Sequence, residues 1–196
     1  MPAAIGILGG TFDPPHAGHV AAAVAAQQQL GLDEVRIIPA GQAPLRTGAP
    51  VASPADRAEM CRLAFAAYPW ATVDEREMRR EGTSWSVETA RELAKEYPES
   101  RRVWILGADQ LARLDRWKDV AELCRLVEFA VLSRDGIPTE PPAAIASCIR
   151  LTILQGPPVR VSSTDLREAL RRGDSARNGL PLAVARHIDE RSLYQA

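Results

Sequence analysis

The chain has 196 residues, 46% of them apolar, and 24 basic side chains against 25 acidic ones give a formal net charge of −1. That length suits a single domain, residues 1–196, able to bury roughly 70% of its unfolded surface, and the even charge argues against bulk binding to nucleic acid or membrane. No apolar run approaches the roughly 20 residues that span a bilayer, and Gly6, Gly9 and Asp13 interrupt the N-terminal apolar stretch too soon for a signal region.

Ile5-Gly6-Ile7-Leu8 reads as a short buried strand. It leads into Gly9-Gly10-Thr11-Phe12-Asp13-Pro14-Pro15-His16-Ala17-Gly18-His19, a glycine turn, a stiff proline segment and a helix starting at about Ala17. His16 and His19 lie three residues apart, a spacing that puts side chains on one helical face. The first turn of a helix offers unpaired N–H groups and a partial positive charge, so phosphate is its natural ligand. Gly9 and Gly10 let backbone approach an anion closely, and Gly18 removes a side chain between the imidazoles. The stretch reads as a nucleotide triphosphate site, although it has neither the G-x-G-x-x-G order of a dinucleotide fold nor the G-K-[ST] ending of a Walker loop.

Val20 to Leu30 continues the helix, and Gly31 fits its C-terminal cap. Glu34 to Pro39 is a second strand, completing a strand-helix-strand unit that forces a parallel pair with a right-handed crossover. Residues 40–51 form a Gly- and Pro-rich loop at the carboxyl end of that strand, the ligand edge of open α/β sheets, and Arg46 supplies a cation there. Ser53-Pro54-Ala55-Asp56 starts a helix with Met60, Leu63, Ala64 and Ala67 as its apolar stripe. A short strand covers Ala71-Thr72-Val73, and the charges of both signs in residues 74–81 predict an exposed, mutually paired surface. Ser86, or Ser84 with Glu88 nearby, caps a helix running to about Tyr97, beside Trp85.

Arg101 to Leu106 reads as a central buried strand ending at Gly107, with Asp109 just past its carboxyl end. There a carboxylate either accepts hydrogen bonds from ribose hydroxyls or caps the next short helix. Trp117 either packs into the core or, sitting in a polar run, offers its flat face to a ligand. A fifth strand covers Leu126 to Leu132 and a late strand Ile149 to Leu154, with a proline-rich loop at Pro138 to Ala144 between them. In Val161-Ser162-Ser163-Thr164-Asp165-Leu166-Arg167, Ser162 or Ser163 caps a helix through Gly173. Its open first turn, with Arg167 one turn inside, makes a second anion-binding helix start. Residues 180–194 close the chain with a helix that carries His187 on its surface, and Cys61, Cys124 and Cys148 read as buried apolar residues in a reducing cytoplasm. The fold class is α/β, a Rossmann-like open parallel sheet with helices on both faces.

The eleven residues from Gly9 to His19 resemble, nearly letter for letter, the G-G-T-F-D-P-x-H-x-G-H signature of the nucleotidylyltransferase superfamily, and more narrowly that of bacterial nicotinate mononucleotide adenylyltransferases. Residues 161–167 resemble the superfamily's I-S-S-T-x-[IL]-R, and Gly107 and Asp109 its I-G-x-D. The resemblance implies transfer of AMP from ATP to nicotinate mononucleotide, with Mg²⁺ carried by the ATP and no dedicated protein metal cage. His16 and His19 are then the catalytic pair, hydrogen-bonded to the triphosphate. Gly9, Gly10, Thr11, Phe12, Gly18, Gly107, Asp109, Ser162, Ser163, Thr164 and Arg167 belong with ATP.

The same resemblance gives the mononucleotide Arg46, Trp85, Ser86, Trp117 (stacked on the nicotinate ring) and Arg134. A D-x-x-E segment implies that Glu75 helps position it. In the loop after the second strand, Leu45 stands where the family has a histidine. Alternatives from the sequence are adenylyl transfer to nicotinamide mononucleotide or phosphopantetheine, and a non-catalytic nucleotide-binding regulator. Oligomeric state is not legible.

Overall fold

A computed structural model describes residues 1–42, 49–133, 139–156, 159, 161–174 and 179–195. Six strands form one sheet in the order β3-β2-β1-β4-β5-β6, and every neighbouring pair is parallel. They are β1 (Ala4–Gly10), β2 (Glu34–Pro39), β3 (Ala71–Val73), β4 (Arg101–Leu106), β5 (Glu128–Leu132) and β6 (Leu151–Leu154). A parallel sheet needs cover on both faces, which is why β1 and β4 read as continuous apolar runs rather than alternating ones. The alternation of side chains then sends Leu8, Val35, Ile37, Val103 and Ile105 to one core. Ile5, Ile7, Ile38, Trp104 and Leu106 go to the other.

The first core is roofed by α1 (Ala17–Leu30), α2 (Pro54–Phe65), α7 (Ser163–Arg171) and α8 (Leu182–Glu190). The second is roofed by α4 (Ser86–Glu96), α5 (Ala108–Leu111) and α6 (Val120–Leu126), with the single turn α3 (Arg76–Arg79) at the sheet's β3 end. From β1 the chain winds outward through β2 to β3, then returns past β1 to lay down β4 on its other side. That reversal separates the loops leaving β1 and β4 and opens a crevice beyond their carboxyl ends.

Local chemistry sets several boundaries where the sequence predicts them. Gly31 caps α1 in the left-handed region at φ 61°, and Ser53 Oγ caps α2 by accepting from the Asp56 N–H at 3.1 Å. Elsewhere tertiary contacts override the expectation. Ala67 lies beyond α2 and is exposed, and the buried face of that helix is Ala58, Met60, Cys61, Ala64 and Phe65. Trp85, not Ser84 or Ser86, occupies the cap of α4, because the Ser84 hydroxyl donates to the Glu77 carbonyl at 3.2 Å.

Strand β5 starts at Glu128, since Val127 closes α6 by donating its N–H to Leu123 O. Strand β6 starts at Leu151, since the Ile149 N–H is bonded to Ile145 O at 3.1 Å in a turn. Cys148 is exposed, unlike the buried Cys61 and Cys124. His187 is half-buried, with Nε2 facing Asp56 Oδ1 at 3.4 Å. The 74–81 run is paired as expected, Arg76 holding Asp74 and Glu96 and Arg80 holding Glu92, but only Arg79 and Glu81 in it are exposed. Glu77 departs from it, being buried with its carboxylate accepting from Thr89 Oγ1 at 2.6 Å.

Candidate active site

The glycine turn leaves β1 at the switch point and is locked from beneath by a buried arginine. Arg57, 1% exposed, donates from Nη1 to Thr11 O and to Ala40 O, both at 2.8 Å. It thereby ties the carboxyl ends of β1 and β2 together. Phe12 sits at φ 51°, a left-handed conformation that is costly for a bulky side chain and is held here by burial of its ring. A Cβ at Gly10 would press on that ring, lying 3.2 Å from Phe12 Cζ.

His16 is the cap of α1, in extended backbone rather than inside the helix. Its ring nonetheless stacks on His19, with centroids 3.7 Å apart and an interplanar angle of 24°. Phe12 meets His19 edge-on at 4.8 Å. The His16 N–H donates to His19 Nδ1 at 3.1 Å. A nitrogen that accepts carries no proton, so neutral His19 holds its proton on Nε2 and donates from there. The first turn of α1 is less open than the sequence suggests, because the Ala17 N–H is bonded to Gly179 O at 2.8 Å.

The serine-rich start of α7 reaches this turn from the far end of the chain. Ser162 caps α7, accepting from the Asp165 N–H at 3.2 Å and donating to Asp165 Oδ2 at 2.8 Å. Ser163 Oγ donates to Pro14 O at 2.8 Å, and Arg167 Nη1 donates to Asp13 O at 2.7 Å. Arg167 Nη2 also reaches Thr164 Oγ1 at 3.2 Å. Ser163 and Arg167 therefore latch the two motifs together, and a guanidinium with five N–H groups still has donors to spare.

Under the latch lies Asp13, whose side chain is fully buried. Its Oδ1 accepts from the Ala52 N–H at 3.0 Å and from the Tyr194 hydroxyl at 2.9 Å, and its Oδ2 from the Val51 N–H at 3.0 Å. Burial and the adjacent Asp13 carboxylate push the Tyr194 hydroxyl well above its ordinary pKa, so it remains a donor.

A cleft of about 850 Å³ opens over this platform. Of the described candidates from the sequence, all but Glu75 line it: Gly9, Gly10, Thr11, Phe12, His16, Gly18 and His19 from the first motif, Trp85 and Ser86 at the start of α4, Gly107 and Asp109 after β4, Trp117, and Ser162, Ser163, Thr164 and Arg167. Arg46 and Leu45, after β2, and Arg134, after β5, fall outside the described residues. Asp109 is not a cap. Gly107 holds that position on α5, leaving Asp109 exposed with Oδ2 accepting from Gln110 Nε2 at 3.1 Å. Trp117 stands edge-on to Trp104 at 6.1 Å, and its indole Nε1 is buried with no hydrogen-bond partner among the described residues.

The structure adds residues to the cleft that sequence reasoning passed over, namely Asp13, Glu77, Arg113, Arg116 and Lys118. Glu75 does not line it and instead pairs with Arg62 on the surface. The D-x-x-E spacing itself pointed to Glu77, since Asp74 and Glu77 are the pair three residues apart. Burial raises the Glu77 carboxyl above its ordinary pKa, while the Thr89 hydroxyl bond and Arg80 pull it down.

As a donor set the cleft offers imidazoles, hydroxyls and guanidinium groups, which suit anions. Among the described residues no three His, Cys, Asp or Glu side chains gather to hold a metal. Both oxygens of Asp13, beneath the cleft, are already committed to protein donors. No helix among the described residues is long and apolar enough to cross a membrane.

Residues 7–169 match the cytidylyltransferase-like family. A protein of Opitutus terrae named "Probable nicotinate-nucleotide adenylyltransferase" is 40% identical over 191 residues, covering 97% of each chain. One of the same name from Roseiflexus is 41% identical over 197 residues, covering 98% of each. The solved structure of Plasmodium falciparum nicotinic acid mononucleotide adenylyltransferase complexed with APC superimposes with a TM-score of 0.82 at 14% identity, over 98% of this chain and 97% of that one. At that identity it bears on the fold alone, and the fold is the same.

Proposed function

We propose, from the premise that this chain belongs to the cytidylyltransferase-like family and within it to the nicotinate-nucleotide adenylyltransferases, that it transfers AMP from ATP to nicotinate mononucleotide, giving nicotinate adenine dinucleotide and pyrophosphate. It is a nucleotidyltransferase of NAD biosynthesis. The observation that carries the reading is the latch: Ser163 on Pro14 O and Arg167 on Asp13 O hold the histidine motif and the serine-rich helix start against one cleft. Residues 1–196 act as one catalytic unit, supported by a site whose parts come from near both ends of one sheet's chain. The enzyme works in the cytoplasm with its ATP.

A phosphate oxygen of the mononucleotide attacks the α-phosphorus of ATP. The new P–O bond joins the two nucleotides, and the α–β bridging bond breaks, its electron pair leaving with pyrophosphate. A phosphate monoester with a second pKa of about 6 is already largely ionised at neutral pH, so the attack needs no general base. The barrier lies in bringing two anions together and in the charge gathering on the departing pyrophosphate. His19, donating from Nε2, and His16 stacked against it bind the triphosphate and strengthen as that charge builds. Arg167 and the α7 hydroxyls serve the same anion, and Gly107 and Asp109 the adenosine. Trp85, Ser86 and Trp117 form the mononucleotide's ring wall, and Arg46 and Arg134 are assigned to the same substrate from the sequence resemblance alone. Mg²⁺ enters bound to ATP and neutralises phosphate charge.

His19→Ala tests this. Pyrophosphate release from MgATP and nicotinate mononucleotide should fall at least a hundredfold, the loss typical of removing a donor to developing charge, with the melting temperature retained. Wild-type turnover in that variant refutes the assignment of His19.

A further inference from the structure

Nicotinate mononucleotide and its amide differ only at one ring substituent, a carboxylate in one and a neutral carboxamide in the other. The carboxylate is an anion that only accepts hydrogen bonds, whereas the amide also carries two N–H donors. Preference for the acid is therefore strengthened by a positive charge where the ring's edge rests. Granted the mononucleotide reading above, that edge lies against Trp85 and Trp117.

Lys118 directly follows Trp117 and lines the same cleft. Its Nζ lies 5.1 Å from the centroid of the Trp85 ring, so the indole face holds an ammonium group at the aromatic wall. It also meets Glu88 Oε1 at 3.4 Å, with the lysine side chain 42% exposed. Glu88 is also approached by Arg80 Nη1 at 3.9 Å. An ion pair that is long, exposed and shared stabilises little, so the ammonium gives it up for a substrate carboxylate at small cost. Ser86, on the same wall, both donates and accepts and so does not separate acid from amide. Arg113 and Arg116 belong to the same segment and reinforce the positive field at the cleft.

We propose that Lys118 determines the choice of acid over amide, its ammonium meeting the nicotinate carboxylate between Trp85 and Trp117. The amide presents a carbonyl oxygen to the same group but no charge, and so gains only a neutral acceptor's share of the interaction.

The test compares kcat/KM for nicotinate mononucleotide and nicotinamide mononucleotide, each with MgATP, by pyrophosphate release. Lys118→Met keeps the length of the side chain and removes the charge. It should lower the acid-to-amide ratio about tenfold, the worth of a charge-assisted hydrogen bond discounted for a half-exposed partner. Lys118→Arg should retain most of the ratio, and Glu88→Gln should hold or raise it. A ratio in Lys118→Met within twofold of wild type overturns the inference. So does an equal fall in Glu88→Gln, which would mean that the ion pair merely orders the wall. Wild-type protein that releases pyrophosphate with neither mononucleotide overturns the parent reading instead, and the inference with it.

Discussion

Tyr194→Phe isolates one bond in the knot beneath the histidine motif. The hydroxyl donates to Asp13 Oδ1 at 2.9 Å, the ring is 4% exposed, and the acceptor carboxylate is fully buried. Phenylalanine keeps the ring's volume, so packing is preserved and only the donor is lost. A hydrogen bond to a charged acceptor contributes about 1.5–3 kcal/mol. The lower half of that range applies, because Asp13 keeps the Ala52 and Val51 N–H groups at 3.0 Å. The cost is about 2 kcal/mol, which for a chain of this size lowers the melting temperature by about 4–8 °C. Thermal unfolding followed by circular dichroism and calorimetry measures it. A double-mutant cycle with Asp13→Asn should return a coupling of about 0.5–3 kcal/mol. A variant melting within about 1 °C of wild type would show that the carboxylate does not depend on this donor.

Two further outcomes follow from the packing around the cleft. A Cβ at Gly41 would lie 2.3 Å from the Glu77 carbonyl oxygen; because backbone cannot yield as a side chain can, Gly41→Ala should cost about 3 kcal/mol in urea unfolding, and wild-type stability refutes it. The Ser53 hydroxyl foremost, then Arg191 and His187, hold Asp56 below its ordinary pKa of 3.8 against the opposing effect of burial. Its contribution is therefore complete above about pH 3.8 and is lost as pH falls through the lowered native value. The urea midpoint of wild type should drop more steeply below pH 4 than that of Asp56→Asn, and parallel curves count against the argument.

What the sequence made legible was local. The limits of α1 and β2, the left-handed cap at Gly31 and the capping serine at Ser53 each depend on neighbours within a few residues. The helix starts at residues 16–19 and 162–167 were legible for the same reason, since each carries its own small and polar residues. Asp13, Arg57 and Glu77 were not. Asp13 finds its donor in Tyr194, 181 residues away, and Arg57 closes two strand ends that only the sheet makes adjacent. Glu77 lies in a charge run that pairs within itself and with α4, Arg79 and Glu81 being exposed and its other members half-buried, and the Thr89 hydroxyl facing Glu77 accompanies its full burial. Periodicity reports burial faces; it does not report which distant group a buried polar atom will meet.

The dual use of Ser163 and Arg167 bears on how such a site can be stable. A cleft that gathers cations and open N–H groups for an anion is self-repelling until the anion arrives, and its elements come from strands and helices with no reason of their own to stay together. Here the same helix start that faces the cleft bonds two backbone carbonyls of the opposing motif, and Arg167 Nη1 lies 4.0 Å from the buried Asp13 carboxylate. The positive charge of Arg167 is thus partly compensated by a buried carboxylate of the first motif. Asp13, flanked by Phe12 and Pro14 and fully buried, is that carboxylate.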